Sequence, residues 1–263
     1  LSPVTAETYD ELTATHLLAQ MKADRTVCAI TAGTPGIWNW TPERRKEAGR
    51  QFVDVGIAEE HAVALASGIA KAGGKAVFGV CSTFLQRAYD QLSQDLCIND
   101  SPATILVLRG SLTTMTDVTH LCHFDIPLLS NIPNLVYLAP TNREEYLAML
   151  DWSLGYKAHP VAIRVPAGPT VPATRPVQTD YSDLDRYEVV ERGKDVALFA
   201  LGSFFSLGER VCRLLEAQGI RATLVNPRYI SGSDTRLLDS LATDHRLAVT
   251  LEDGVLDGGF GEK

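Results

Sequence analysis

No run in this sequence comes near the roughly 18 consecutive apolar residues that a membrane-spanning helix needs. The start, Leu1-Ser2-Pro3, lacks the charged and apolar regions of a signal peptide. A soluble chain working in the cytoplasm is the expectation. Positive charge is in deficit: 24 Lys and Arg face 32 Asp and Glu, for a formal charge of −8 and a pI near 5.3. There is no basic footprint for nucleic acid or an anionic membrane, and a small-molecule ligand is expected instead. The five cysteines, Cys28, Cys81, Cys97, Cys122 and Cys212, show no CxxC spacing. That argues against a disulfide scaffold and a structural zinc site, and leaves them as small core residues. Internal repeats and low-complexity tracts are also missing.

What is present is an ordinary globular composition, 45% hydrophobic and 21% charged over 263 residues, enough for two moderate cores. Short β-branched and aliphatic runs recur at 27–31, 51–55, 75–80, 103–108, 135–139 and 161–165. Helical patterns fill the intervals at 8–22, 57–72, 83–96 and 142–155. This alternation predicts an α/β domain over 1–170, a doubly wound, mostly parallel sheet covered on both faces. Thr141 and Glu144 form a T-x-x-E capping box that sets the start of the last helix. The Pro-, Thr- and Asp-rich text before Asp185 lacks either period, so 171–185 reads as an extended linker. A smaller α/β domain over 186–263 has runs at 195–201, 221–226 and 246–251 around a helix opened by a Ser206/Glu209 box and closed by Gly219. The glycine-rich end after Asp257 normally leads into another element, so this domain is expected to be truncated and the chain a fragment.

Asp54-Val55-Gly56-Ile57-Ala58-Glu59-Glu60-His61 stands at a strand-to-helix junction. Glu59, Ala62, Val63, Ala66, Ile69 and Ala70 keep helical spacing, so Glu59 shares a face with the apolar stripe and is expected to be at least partly buried. Burial disfavours a charged carboxylate, which suits Glu59 to holding or exchanging a proton near neutral pH. A half-exposed first-turn glutamate, helped by the helix dipole, is the alternative. Phe84 is either a first-turn core aromatic or a ring offered to a ligand. Arg87 could pair with Glu59 or Asp90, approach substrate, or be solvated. Leu108-Arg109-Gly110 opens a long loop that runs through Thr119-His120-Leu121-Cys122-His123-Phe124-Asp125, at the strand end where α/β sheets bind ligands. His120, Cys122, His123 and Asp125 are all ligand types, but their spacing is too tight for an ordinary zinc site, and no metal site is assigned.

The segments DVGIAEEHAVALASGIA and Ser82 to Gln91, STFLQRAYDQ, carry a resemblance. They are similar to the D-V-G/A-I-A-E-Q-H and S-T-F-L-Q-R-A-Y-D-Q signatures of the 1-deoxy-D-xylulose-5-phosphate synthase family, thiamine diphosphate enzymes of the transketolase type. By that resemblance the chain holds the pyrimidine-binding domain and the start of the transketolase C-terminal domain. Glu59 would hydrogen-bond the aminopyrimidine of thiamine diphosphate, with Ile57, Phe84 and Arg87 also in the cofactor-facing set and Phe84 stacked on the ring. Arg109 would bind the acceptor's phosphate, and His120 would act in catalysis by contacting substrate hydroxyls or the enamine intermediate. The reaction implied is two-carbon transfer from pyruvate to glyceraldehyde 3-phosphate or a related aldehyde.

Departures fall in the acceptor-facing set. The family's Y-P-R-G reads Val165-Pro166-Ala167-Gly168, with Arg164 at a different family position. The tyrosine before S-T-F is Cys81, and the G-A-D-G turn reads Thr114-Met115-Thr116-Asp117. The loop from Thr34 to Trp40 adds two tryptophans. No G-D-G followed by Asn is present to hold Mg²⁺ and the diphosphate, so those are assigned to a domain absent from this chain, from the same full-length protein or a separate subunit. A homodimer is implied. A transketolase-like paralogue with a ketose donor or an unphosphorylated acceptor stays open. So does a non-catalytic subunit that keeps the fold, whereas S-T-F-L-Q-R-A-Y-D-Q disfavours a split transketolase or a 2-oxo acid dehydrogenase β subunit.

Overall fold

The computed structural model describes residues 6–112 and 118–263, so the Thr114–Asp117 turn lies outside the described residues. Six strands form the first sheet: β1 (Val27–Thr31), β2 (Phe52–Asp54), β3 (Lys75–Cys81), β4 (Thr104–Leu108), β5 (Val136–Leu138) and β6 (Val161–Val165). Their order is β2-β1-β3-β4-β6-β5 and every pairing is parallel. Such a sheet needs both faces covered, which explains the near-continuous apolar runs. Successive side chains go to opposite cores. Ile30, Phe78, Ile105 and Val107 meet α3 (Glu59–Lys71), the segment 82–97 and α5 (Asp125–Leu129). Ala29, Val77, Leu106 and Ile163 meet α1 (Tyr9–Ala23), α2 (Pro42–Ala48) and α6 (Arg143–Gly155).

The expected helix at 83–96 forms with a different geometry. A 3₁₀ turn, Ser82–Ala88, leads into α4 (Tyr89–Gln91) and then a π-helical stretch, Leu92–Cys97. Three residues per turn set Phe84 and Arg87 one above the other, which a regular α-helix would splay apart.

The cap of α6 is one residue later than the Thr141/Glu144 spacing predicts. The Asn142 side chain accepts from Glu145 N at 2.9 Å, and the Glu145 carboxylate accepts from Thr141 N and Oγ1 at 2.8 and 2.7 Å. Glu144 instead accepts from Ala173 N at 2.6 Å, fastening the segment 171–185 to α6. Asn142→Ala is expected to cost about 1 kcal/mol of stability in denaturant unfolding, the usual worth of a helix cap.

The two tryptophans of the loop after β1 are structural. Trp38 and Trp40 are fully buried and meet edge to face at 5.7 Å. A Cβ added to Gly79 of β3 would lie 2.6 Å from the Trp38 ring. Gly79→Ala is therefore expected to lower stability by about 1–3 kcal/mol through overpacking, and an unchanged melting temperature would refute this close fit.

In the second sheet, β7 (Glu188–Glu191), β8 (Val196–Ala200), β9 (Ala222–Asn226) and β10 (Leu247–Leu251) take the order β10-β8-β9-β7. Only β7 runs antiparallel. It was not expected, because Glu-Val-Val-Glu is too short to show a period. Helix α7 (Phe205–Glu216) starts before the Ser206/Glu209 box: a 3₁₀ turn, Gly202–Phe204, feeds into it, and its cap residue Phe204 makes no side-chain capping bond. Its closure is as expected, with Gly219 at φ +79° and Ile220 N bonded to Leu215 O at 3.0 Å. Helix α8 (Thr235–Ala242) completes the domain. Glu145 joins the two sheets, accepting from Asn226 Nδ2 at 3.0 Å and Arg228 Nε at 3.2 Å.

Candidate active site

The order of the first sheet reverses direction beside β1, so the carboxyl ends of β1 and β3 flank a switch point where loops diverge and leave a crevice. Asp54, at the end of β2, shapes one wall. Its Oδ1 accepts from Gly33 N at 2.8 Å and Gly56 N at 3.0 Å, tying the loops after β1 and β2 together. Gly56, at φ +72°, makes the turn that leads into α3. It leaves Ile57 79% exposed on the rim, an apolar side chain presented rather than packed.

Glu59 opens α3 and is 3% exposed, so the burial expected from the apolar stripe is met. Its Oε2 has no hydrogen-bond partner among the described residues. Arg87 Nη1 lies 3.4 Å away as an ion pair without hydrogen-bond geometry. The guanidinium is committed to Glu60 instead, with Nε and Nη2 each 3.1 Å from Oε1. Glu60 is held below its ordinary value by its own backbone N–H at the helix start and, secondarily, by Arg87. Of the partners open to Arg87, the two glutamates of α3 take it and Asp90 does not.

Phe84 is half-buried and meets His120 edge to face, with centroids 5.5 Å apart. His120 Nδ1 is 2.7 Å from Thr119 Oγ1. Glu59 with Arg87, and Phe84 with His120, thus form two contacting pairs, joined in sequence by the 3₁₀ turn that carries Phe84 and Arg87. Arg109 follows β4 in the left-handed region at φ +60°, and its Nη2 reaches Asp10 of α1 at 3.8 Å. Burial pushes the Asp10 carboxyl up, with Arg109 opposing. The sequence names Asp54 only as the start of its motif and gives no sign of Asp10, because Gly33 and Arg109, which they meet, lie in distant segments.

The metal-ligand grouping at 120–125 loses its carboxylate. Asp125 is buried, binds Arg164 Nε at 2.7 Å and Nη2 at 3.1 Å, and accepts from the Tyr137 hydroxyl. Arg164 Nη2 also donates to Asp253 O at 2.6 Å, so the buried guanidinium is held within the chain. Ala167 is exposed. Among the described residues no group of three His, Cys, Asp or Glu could hold a metal, and no helix is long and apolar enough to cross a membrane.

Comparison with known proteins agrees with this architecture. Residues 7–170 match the model of the transketolase pyrimidine-binding domain, and 185–263 match the transketolase C-terminal domain. The chain is 38% identical over 254 residues to the 1-deoxy-D-xylulose-5-phosphate synthase of Heliobacterium modesticaldum, covering 97% of this chain and 39% of that protein. It is 39% identical over 256 residues to the Symbiobacterium thermophilum enzyme of the same name, with the same coverages. The chain therefore spans about two fifths of the length of these relatives. Among solved structures, a split-gene transketolase described as an inactive beta4 tetramer superposes with a TM-score of 0.79 at 22% identity, over 97% of this chain and 82% of that one.

Proposed function

Given that the chain belongs to the transketolase family, we propose that it forms the pyrimidine-binding wall of a thiamine diphosphate site in a two-carbon transfer enzyme of the 1-deoxy-D-xylulose-5-phosphate synthase type. The observation that carries this reading is the buried Glu59 Oε2 without a hydrogen-bond partner. An unsatisfied buried carboxylate oxygen costs about 1–3 kcal/mol or more, a cost that a ring nitrogen sharing a proton with it would remove. The residues fit the cofactor. Glu59 would hold a proton at Oε2 against the pyrimidine nitrogen, Phe84 would offer its ring to the pyrimidine face, and Ile57 would supply apolar rim. Arg87 would position Glu59 from its anchorage on Glu60. When bound, thiamine diphosphate supplies the electron sink for cleaving a bond next to a carbonyl. His120, held by Thr119 and against Phe84, would meet substrate hydroxyls, and Arg109 would meet an acceptor phosphate. Mg²⁺ and the diphosphate are assigned to a domain outside this chain, in the same protein or a separate subunit, within a homodimer.

Pyruvate is the leading donor and glyceraldehyde 3-phosphate or a related aldehyde the leading acceptor. The engagement of Arg164 by Asp125 and the presence of Ala167 favour a second reading, an unphosphorylated acceptor. One missing charge-assisted contact is worth about 1.5–3 kcal/mol, so preference for the phosphorylated aldehyde should be about 10- to 150-fold weaker than with a second arginine. Carbon dioxide release from pyruvate, followed with phosphorylated and unphosphorylated aldehydes on the full-length protein, tests both readings. Ketoses as the only donors would rule out the pyruvate reaction.

A further inference from the structure

Beside this site two sulfurs meet. Cys81 ends β3, Cys122 lies 41 positions further along, and their Sγ atoms are 3.4 Å apart. Both residues are 1% exposed. Cys122 belongs to the loop that carries His120: its carbonyl accepts from Ser111 N at 2.8 Å, and its Sγ is 3.5 Å from His120 O. Cys81 directly precedes the turn that carries Phe84 and Arg87. All five cysteines are free thiols. Burial pushes Cys28, Cys97 and Cys212 up, to about 11, 12 and 11. Cys81 and Cys122 differ from these because their sulfurs share a hydrogen bond that either thiol can donate, and whichever sulfur accepts it has its thiolate stabilised. One sulfur is thereby set up as nucleophile and the other as its resolving partner.

We propose that Cys81 and Cys122 are a reversible dithiol–disulfide pair, oxidised by a peroxide, that ties the His120 loop to the end of β3. The Cys122 thiolate attacks one peroxide oxygen, the O–O bond breaks, and hydroxide leaves as the Cys122 sulfenic acid forms. The Cys81 sulfur then attacks the Cys122 sulfur; the S–S bond forms, the S–O bond breaks, and water departs with the Cys81 proton. Overall the two thiols lose two electrons and two protons, and hydrogen peroxide becomes two waters. A disulfide needs its sulfurs about 2.05 Å apart, so the loop has to close by little more than 1 Å. This pair is independent of the cofactor reading, since it needs only the two thiols and the oxidant.

The test treats the purified full-length protein with a few equivalents of hydrogen peroxide, alkylates remaining thiols and maps the peptides. The expected result is a near-stoichiometric Cys81–Cys122 linked peptide that disappears on reduction by a dithiol, with Cys28, Cys97 and Cys212 still alkylated. In Cys81→Ser the linked peptide is lost and dimedone traps a sulfenic acid on Cys122. The wild-type measurement stands alone if that variant fails to fold. Separate alkylation of Cys81 and Cys122 after peroxide would overturn the proposal, as would oxidation to sulfinic acid without linkage or a link to one of the other three thiols.

Discussion

Glu59→Gln is expected to reduce turnover in two-carbon transfer by about 10²- to 10⁴-fold, the range associated with a positioned proton-exchanging group, while the fold survives. The amide has the same shape as the carboxyl and fits the same buried place. It cannot hold or exchange the carboxyl proton at the position of Oε2, the oxygen without a hydrogen-bond partner. Stability should change little, because the lost ion pair is 3.4 Å long and involves a guanidinium that is 51% exposed and still anchored on Glu60; such pairs contribute about 1 kcal/mol or less. The check is steady-state turnover alongside a melting curve. Activity within a few-fold of wild type would remove Glu59 from the chemistry and leave its burial a matter of packing.

Asp125→Ala should give the largest loss of stability, about 3–5 kcal/mol, because it leaves a buried guanidinium without its carboxylate. Arg164 is 6% exposed, and both Asp125 oxygens face it. Tyr137 loses its acceptor in the same step. The damage also reaches the candidate site: Arg164 holds the Asp253 carbonyl, and Asp253 Oδ1 accepts from Leu112 N at 2.7 Å, on the loop leading to His120. Denaturant midpoints at unchanged slope would measure the loss. Asp125→Leu combined with Arg164→Met should recover much of it, since an apolar pair of similar volume carries no desolvation cost. A loss below about 1 kcal/mol for Asp125→Ala would mean that water or another anion replaces the carboxylate, and the network would not be what holds the loop.

The stripe from Glu59 to Ala70 shows how far local pattern reaches in this chain. A helix places residues three and four apart on one face whatever surrounds it, so the burial of Glu59 could be read from spacing alone. The six parallel strands were legible for the same reason: apolar runs bounded by helical patterns have few other ways to be covered. The ten residues from Ser82 to Gln91 pointed to the family, but not to the 3₁₀ turn that brings Phe84 and Arg87 onto one edge. The shift of the α6 cap to Asn142 was likewise hidden, because Thr141/Glu144 and Asn142/Glu145 are equally good boxes in sequence and packing against β9 selects the second. Apart from Arg87 with Glu59, which the shared motif suggested, charge and thiol pairings were out of reach. Arg164 meets Asp125 across 39 positions, and Cys81 meets Cys122 across 41. Periodicity reports which face of an element is apolar, whereas the partner of a buried charge or sulfur depends on which loops the folded sheet brings to the same end.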